Sequence, residues 1–213
     1  DFIEKTEIAG PGFINFFLSD KSSAAVINEI IEGGDGYGES NIGVGQSILL
    51  EYVSANPTGP LHVGHGRGAA YGATVSNLLR SVGYKVDNEY YVNDAGRQMD
   101  ILSVSIFLRY LALCGETIRF PDNGYQGKYI NDIASNIMEI HGVTFHKESA
   151  LVFEGICKDE LQGGNKESHI DELISRSKEL LGEGFKSIFT VGIESILSGI
   201  KKDLAEFGVV FEK

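Results

Sequence analysis

Two histidines three residues apart, His62 and His65, stand among small residues, Gly64, Gly66, Gly68, Ala69, Ala70, Gly72 and Ala73, just after a loop broken by Pro57 and Pro60. On a helix that spacing puts both imidazoles on one face. If the helix starts near Leu61, that face belongs to its first turn, where unpaired amides and the positive end of the dipole favour an anion. A neutral imidazole donates one hydrogen bond, and it gains charge if the anion raises a pKa that starts near ~6.5. Such a turn can hold a polyphosphate while charge moves between its oxygens during reaction. Each glycine costs the helix about 1 kcal/mol relative to alanine, so something must approach this backbone closely. A bare H-x-x-H pair is equally compatible with two surface histidines; the surrounding residues decide between the readings.

The elements that position the pair read as follows. Ser47 to Val53, with Ile48, Leu49, Leu50 and Val53 apolar, is a short buried strand. Pro57 holds Asn56 extended, Pro60 lacks a donor and Gly59 permits a bend, so regular structure stops there. A helix from Leu61 to about Val82 buries Val75, Leu78, Leu79 and Val82 and stops at Gly83. Lys85 to Val92 is a second strand, Asp94 an N-cap, and Gln98 to Leu113 a second helix ending at Gly115. Strand and helix in alternation predict an α/β fold with a parallel, doubly wound sheet. Its ligand lies beyond the carboxyl ends of the strands, where His62, His65, Asn93 and Asp94 fall.

Outside this unit, Phe13 to Leu18 alternates like a strand whose pairing partners lie elsewhere. Lys21 to Glu32 is a short helix, and the run from Gly33 to Asn41 is a linker that cannot pack. After Pro121 the stripes at 129–138, Leu151 to Leu161, 170–174 and 188–204 predict structural helices, and Val209-Val210-Phe211 opens a further strand. His141, His146 and His169 read as surface residues, and Cys114 and Cys157 as isolated buried thiols on helices, without metal-binding spacing. No apolar run approaches the roughly 18 residues of a spanning helix, and no basic-then-apolar export signal opens the chain. The net charge of −12 identifies no nucleic-acid surface; phosphate contacts would have to be local.

His62-Val63-Gly64-His65 resembles the HIGH signature of class I aminoacyl-tRNA synthetases, and the stretch Glu51 to Gly68 resembles its arginyl-tRNA synthetase version. Two further blocks are similar to that family in the same order: Ala9-Gly10-Pro11-Gly12-Phe13-Ile14-Asn15-Phe16 upstream and Tyr90-Tyr91-Val92-Asn93-Asp94-Ala95-Gly96 downstream. The resemblance is strongest from Ile48 to Ile101 and weak from Gly142 onward. It implies a HIGH-superfamily, Rossmann-like nucleotide-binding fold, of which this chain carries the first half. Residues 1–40 would close the N-terminal tRNA-contacting domain and its linker, residues 41–120 would form the first half of the catalytic domain, and residues 121–213 would be its helical connective insertion.

The implied activity is activation of arginine by ATP, with Mg2+ on the nucleotide, and transfer to the 3′ end of tRNA(Arg), by a cytoplasmic monomer with no membrane partner. His62 and His65 would contact the phosphates, and Gly64 would let the adenine lie against bare backbone. Asn56 would bond both ends of the amino acid's backbone, with Ser54 beside it and Glu51 facing the positive substrate in a charge-assisted bond of roughly 1.5–3 kcal/mol. Asn93 and Asp94 lie in the matched second block, although strand termination and capping would account for them. No Lys-Met-Ser-Lys loop occurs, and Gly59 stands where some arginyl enzymes carry a compensating lysine, so the expectation is such a loop beyond Lys213 and no activity from this chain alone.

Three other readings compete. Gly64 to Ala69 satisfies G-x-G-x-x-A, with Asp87 and Glu89 downstream, like a dinucleotide fingerprint, but its glycines come too late after the strand. A small HIGH-superfamily nucleotidyltransferase would share the histidines without needing Glu51, Asn56 or the Gly10-Pro11-Gly12 block. A non-catalytic nucleotide- or tRNA-binding module is the third.

Overall fold

The computed structural model describes residues 2–213, apart from the side chains of Ser22 and Ser23. Its packing forms two compact units, one holding the chain up to Ile48 together with Ser76–Val86, the other Leu49–Val75 with Asp87–Lys213.

In the first unit, β1 (Ile3–Ala9) and β2 (Phe13–Leu18) form an antiparallel hairpin with Ala9 opposite Phe13. The turn between them is Gly10-Pro11-Gly12, and both glycines take left-handed φ values, 61° and 88°, that side chains disfavour. This corrects the expectation that Phe13 to Leu18 pairs elsewhere: alternation marks a strand without saying which segment completes it. Helix α1 (Asp20–Gly33) follows, then a 3-10 turn over Gly34–Gly36. The glycine-rich run expected to remain unpacked is tied down at its end, where the Ser40 amide donates to the Ser81 carbonyl at 3.0 Å.

Strand β3 (Ser47–Glu51), helix α2 (Val63–Ser81) and strand β4 (Lys85–Glu89) give the expected βαβ unit. The Lys85 amide bonds the Gln46 carbonyl at 3.0 Å and the Tyr52 amide bonds the Glu89 carbonyl at 3.4 Å, so both strands ascend together and the pair is parallel. β3 stops two residues earlier than expected because Val53 and Ser54 have φ values of 66° and 39°. Left-handed backbone is rare for a β-branched residue and cannot continue a ladder. On the opposite edge of β4, the Lys213 amide donates to Asn88 and its carbonyl accepts from Tyr90, both at 3.1 Å, in the parallel pattern. Val209-Val210-Phe211 is therefore not itself a strand but leads the chain to that edge.

The second unit has α3 (Arg97–Leu113) at its centre, buried on nearly every face from Met99 to Leu111. Around it pack α4 (Lys128–His141), α6 (Lys166–Leu181) and α7 (Glu183–Glu206), with the single turn α5 (Ser149–Val152) against α6. The expected stripes are the buried ones: Ile130, Ile133, Ala134 and Ile137; Ile170, Leu173 and Ile174; Ile188, Ile193, Ile196, Ile200 and Leu204. α7 crosses close to α3 at Gly192, where an added Cβ would lie 2.6 Å from Ile106.

Four expectations fail here. Leu151 to Leu161 is not a helix: Gly155 takes a φ of 75°, and the Asp159 side chain caps a 3-10 turn at Glu160–Gln162 instead. His169 is not on the surface but 6% exposed, its Nδ1 within 2.6 Å of the Cys157 carbonyl. His146 is half-buried and meets Glu116 at 2.9 Å, and the two cysteines are half-buried, Cys157 lying in the loop after α5. Among the described residues no helix is long and apolar enough to cross a membrane.

Candidate functional site

The loop from Tyr52 to Leu61 carries the candidate residues Ser54 and Asn56, and its backbone is held at several points. The Tyr90 hydroxyl donates to the Ala55 carbonyl at 2.8 Å, the Tyr91 amide to Ser54 Oγ at 3.1 Å, and the Tyr129 hydroxyl to the Thr58 carbonyl at 2.6 Å. Burial pushes the phenol pKa values of Tyr90 and Tyr129 up, so both remain donors near neutral pH. Ala55 and Pro57 are buried while Asn56 between them is exposed, so the loop presents that one amide outward. Asn56 Oδ1 accepts from Asn93 Nδ2 at 3.3 Å, and Asn56 Nδ2 donates to Gln98 Oε1 at 2.9 Å. Below the loop, the Tyr52 ring packs against Phe211 with centroids 4.6 Å apart.

Helix α2 opens on the histidine turn. The His62 carbonyl accepts from the amides of His65 and Gly66 at 2.9 and 3.2 Å, making His62 the capping residue. Its own amide donates to His65 Nδ1 at 3.2 Å, and the Gly64 amide donates to His62 Nδ1 at 3.1 Å. The rings stack 3.8 Å apart and 23° from parallel. Because both Nδ1 atoms accept, each neutral ring carries its proton on Nε2. Desolvation, and then repulsion by a protonated His62, lower the His65 pKa. The pair thus offers two Nε2–H donors from neutral imidazoles. The ring of His62 lies over Gly64, where an added Cβ would come within 2.9 Å of it.

The buried face of α2 is only partly the one expected, with Val75, Leu79 and Val82 half-buried. Leu78 is 62% exposed, and the fully covered positions are Ala69, Gly72 and Ser76. The body that approaches the helix closely is Tyr52, whose ring lies 2.2 Å from where a Cβ on Gly72 would be. Gly66 and Gly68 have open space beside them.

Of the residues expected to form the site, Asn56 and Asn93 meet, Ser54 holds the Tyr91 amide beside them in the chain, and His62, Gly64 and His65 come together. Glu51 is the exposed last residue of β3, and among the described residues its side chain makes no hydrogen bond or ion pair. Asp94 is exposed and does not cap α3; Gly96, at a φ of 91°, holds that position. Sequence reasoning missed Gln98, Tyr91 and Tyr129. Tyr91 stood inside the matched second block and Gln98 just past it, which was a usable signal, whereas nothing local marks Tyr129. The glycines of the G-x-G-x-x-A run lie within or at the start of α2 rather than in a strand-to-helix turn, which removes the dinucleotide fingerprint. Among the described residues no group of three or more His, Cys, Asp or Glu is placed to hold a metal ion.

A parallel strand pair joined through a histidine-headed helix is a Rossmann-like nucleotide-binding arrangement. The family model described as tRNA synthetases class I (R), catalytic domain, matches residues 27–111. Arginine-tRNA ligases from Hydrogenovibrio crunogenus and Thioalkalivibrio sulfidiphilus are 56% and 53% identical to the chain across 100% and 99% of it. The crystal structure of a Campylobacter jejuni protein described as an arginyl-tRNA synthetase superposes with a TM-score of 0.67 at 31% identity, covering 92% of this chain and 36% of that one. Thermus thermophilus arginyl-tRNA synthetase shares the fold at a TM-score of 0.51 and 21% identity, over 99% of this chain and 29% of its own. Over its whole length the chain is similar to arginyl-tRNA synthetases. It spans little more than a third of the curated relatives it matches, 37% and 36% of their lengths.

Proposed function

We propose that the protein carrying this chain is an arginine-tRNA ligase, activating arginine with ATP and transferring it to the 3′ end of tRNA(Arg). The arginine carboxylate attacks the α-phosphorus, pyrophosphate leaves, and the protein contributes positioning and charge stabilisation. The Nε2–H groups of His62 and His65 meet phosphate oxygens, where charge accumulates as the bond breaks. Seating the adenine on Gly64 requires the His62 ring to move off it. Asn56, with one free N–H and one free lone pair, reads the carboxylate and ammonium of the amino acid, with Ser54 beside it. Glu51, whose side chain has no partner among the described residues, faces the substrate's positive charge. Mg2+ arrives on the nucleotide.

The same reading assigns residues 1–40 to the end of a tRNA-contacting domain and its linker, 41–120 to the first half of the catalytic domain and 121–213 to its helical insertion. It makes the protein a cytoplasmic monomer. The observation that carries it is identity above half to arginine-tRNA ligases over essentially the whole chain. The test is arginine-dependent exchange of labelled pyrophosphate into ATP by the full-length protein with tRNA supplied. Exchange driven by arginine and by no other amino acid is expected. Exchange driven by pantetheine phosphate or a nicotinamide nucleotide instead would overturn the reading in favour of a nucleotidyltransferase.

A further inference from the structure

Asn56 is held from both ends of its amide. The nearby carbonyls of Ala55 and Thr58 are fixed by Tyr90 and Tyr129, and the Thr58 amide donates to the Asn56 carbonyl at 2.8 Å, so the backbone has little freedom. The side chain is then the middle member of a one-way chain of amides: Asn93 donates to Asn56, and Asn56 donates to Gln98. Gln98 lies in the first turn of α3. That turn is anchored on one side by Met99, 2% exposed, and on the other by Arg97, whose guanidinium meets Glu167 at 2.6 Å and Asp171 at 2.7 Å on α6.

We infer that Gln98 is a positioning residue for substrate recognition, fixing which way the Asn56 amide faces. An asparagine amide turned by half a revolution exchanges its donor and its acceptor. For a ligand bearing an α-carboxylate beside an α-ammonium, that exchange places a donor against the ammonium and an acceptor against the carboxylate. With Nδ2 committed to Gln98 Oε1, the remaining N–H and the remaining lone pair each point one way only. The inference rests on the proposed role of Asn56 in arginine binding.

The test uses the full-length protein, with arginine and ATP varied separately in pyrophosphate exchange. Gln98→Met keeps length and helix propensity but removes the acceptor. It is expected to raise the arginine KM roughly five- to tenfold, the scale of one hydrogen bond, with the ATP KM and Tm unchanged. Gln98→Glu retains an oxygen facing Nδ2 and is expected to hold the arginine KM within about threefold of wild type. An unaltered arginine KM in Gln98→Met, equal damage in both variants, or a joint rise of both KM values with a lowered Tm would each overturn the inference. Asn56→Ala separates the two layers. A raised arginine KM there beside a silent Gln98→Met retires only the role of Gln98; no effect of Asn56→Ala removes the binding reading and this inference together.

Discussion

The ring of Tyr52 occupies the space that a side chain at position 72 would need, its Cγ 2.2 Å from where a Cβ on Gly72 would stand. The loop's first residue thereby seats the histidine-bearing helix, and the small-residue face of α2 serves this contact. Gly72→Ala gains about 1 kcal/mol of helix propensity but overpacks a site lined by the root of an aromatic ring, which costs about 1–3 kcal/mol. Net destabilisation is expected, read as a lower urea midpoint. Gly66→Ala, with open space beside it, is expected to be neutral or stabilising in the same assay.

Replacing either His62 or His65 by alanine in the full-length protein is expected to lower the rate of arginine activation about 10²–10³-fold, the effect of losing one charge-stabilising donor. Each replacement also frees a helix-terminal amide, Gly64 in one case and His62 in the other. Single-turnover measurement of adenylate formation checks this. A loss below tenfold would mean that the rings only cap the helix.

The acid response of the pair has a definite sign. Desolvation and the neighbouring ring lower the His65 pKa, so the folded state refuses a proton that the unfolded chain accepts near ~6.5. Between the depressed value and that ordinary one the unfolded state binds more protons, so this group's contribution to stability rises with pH and is lost on acidification through the window. Imidazole 15N shifts are expected to show Nε2–H tautomers at neutral pH and a His65 midpoint below ~6.5. A midpoint above that would contradict the stacked arrangement.

Tyr129→Phe removes the donor to the Thr58 carbonyl while keeping the ring. A loss of about 1 kcal/mol of stability is expected. Because the bond fixes the far side of the Asn56 loop, the arginine KM is expected to rise more than the ATP KM. Equal effects on both would assign Tyr129 to general stability.

Much of the fold could be read along the chain because its signals are local. The stripe Ile130, Ile133, Ala134 and Ile137 has helical period and is buried as that period requires. The strand-loop-helix order around Pro57 and Pro60 follows from chemistry no neighbour can override. The failures were where partners decide. Leu78 matched an apolar face yet is 62% exposed, while Gly72 is buried because the Tyr52 ring lies against it. His169 lies on a polar helix yet is buried by the loop from Phe153 to Asn165, whose helical reading Gly155 and Asp159 defeated.

By itself the sequence determined the βαβ unit, the histidines at a helix start and the resemblance that the three blocks signal, since these depend on residue type and short-range spacing. Only the tertiary structure decided how those residues are used: that two imidazoles cap each other's turn, that Val53 and Ser54 are held in left-handed backbone, and that Asn56 is gripped by Asn93 and Gln98. These contacts join positions up to 42 residues apart in the chain, and no local period encodes which amide will face which.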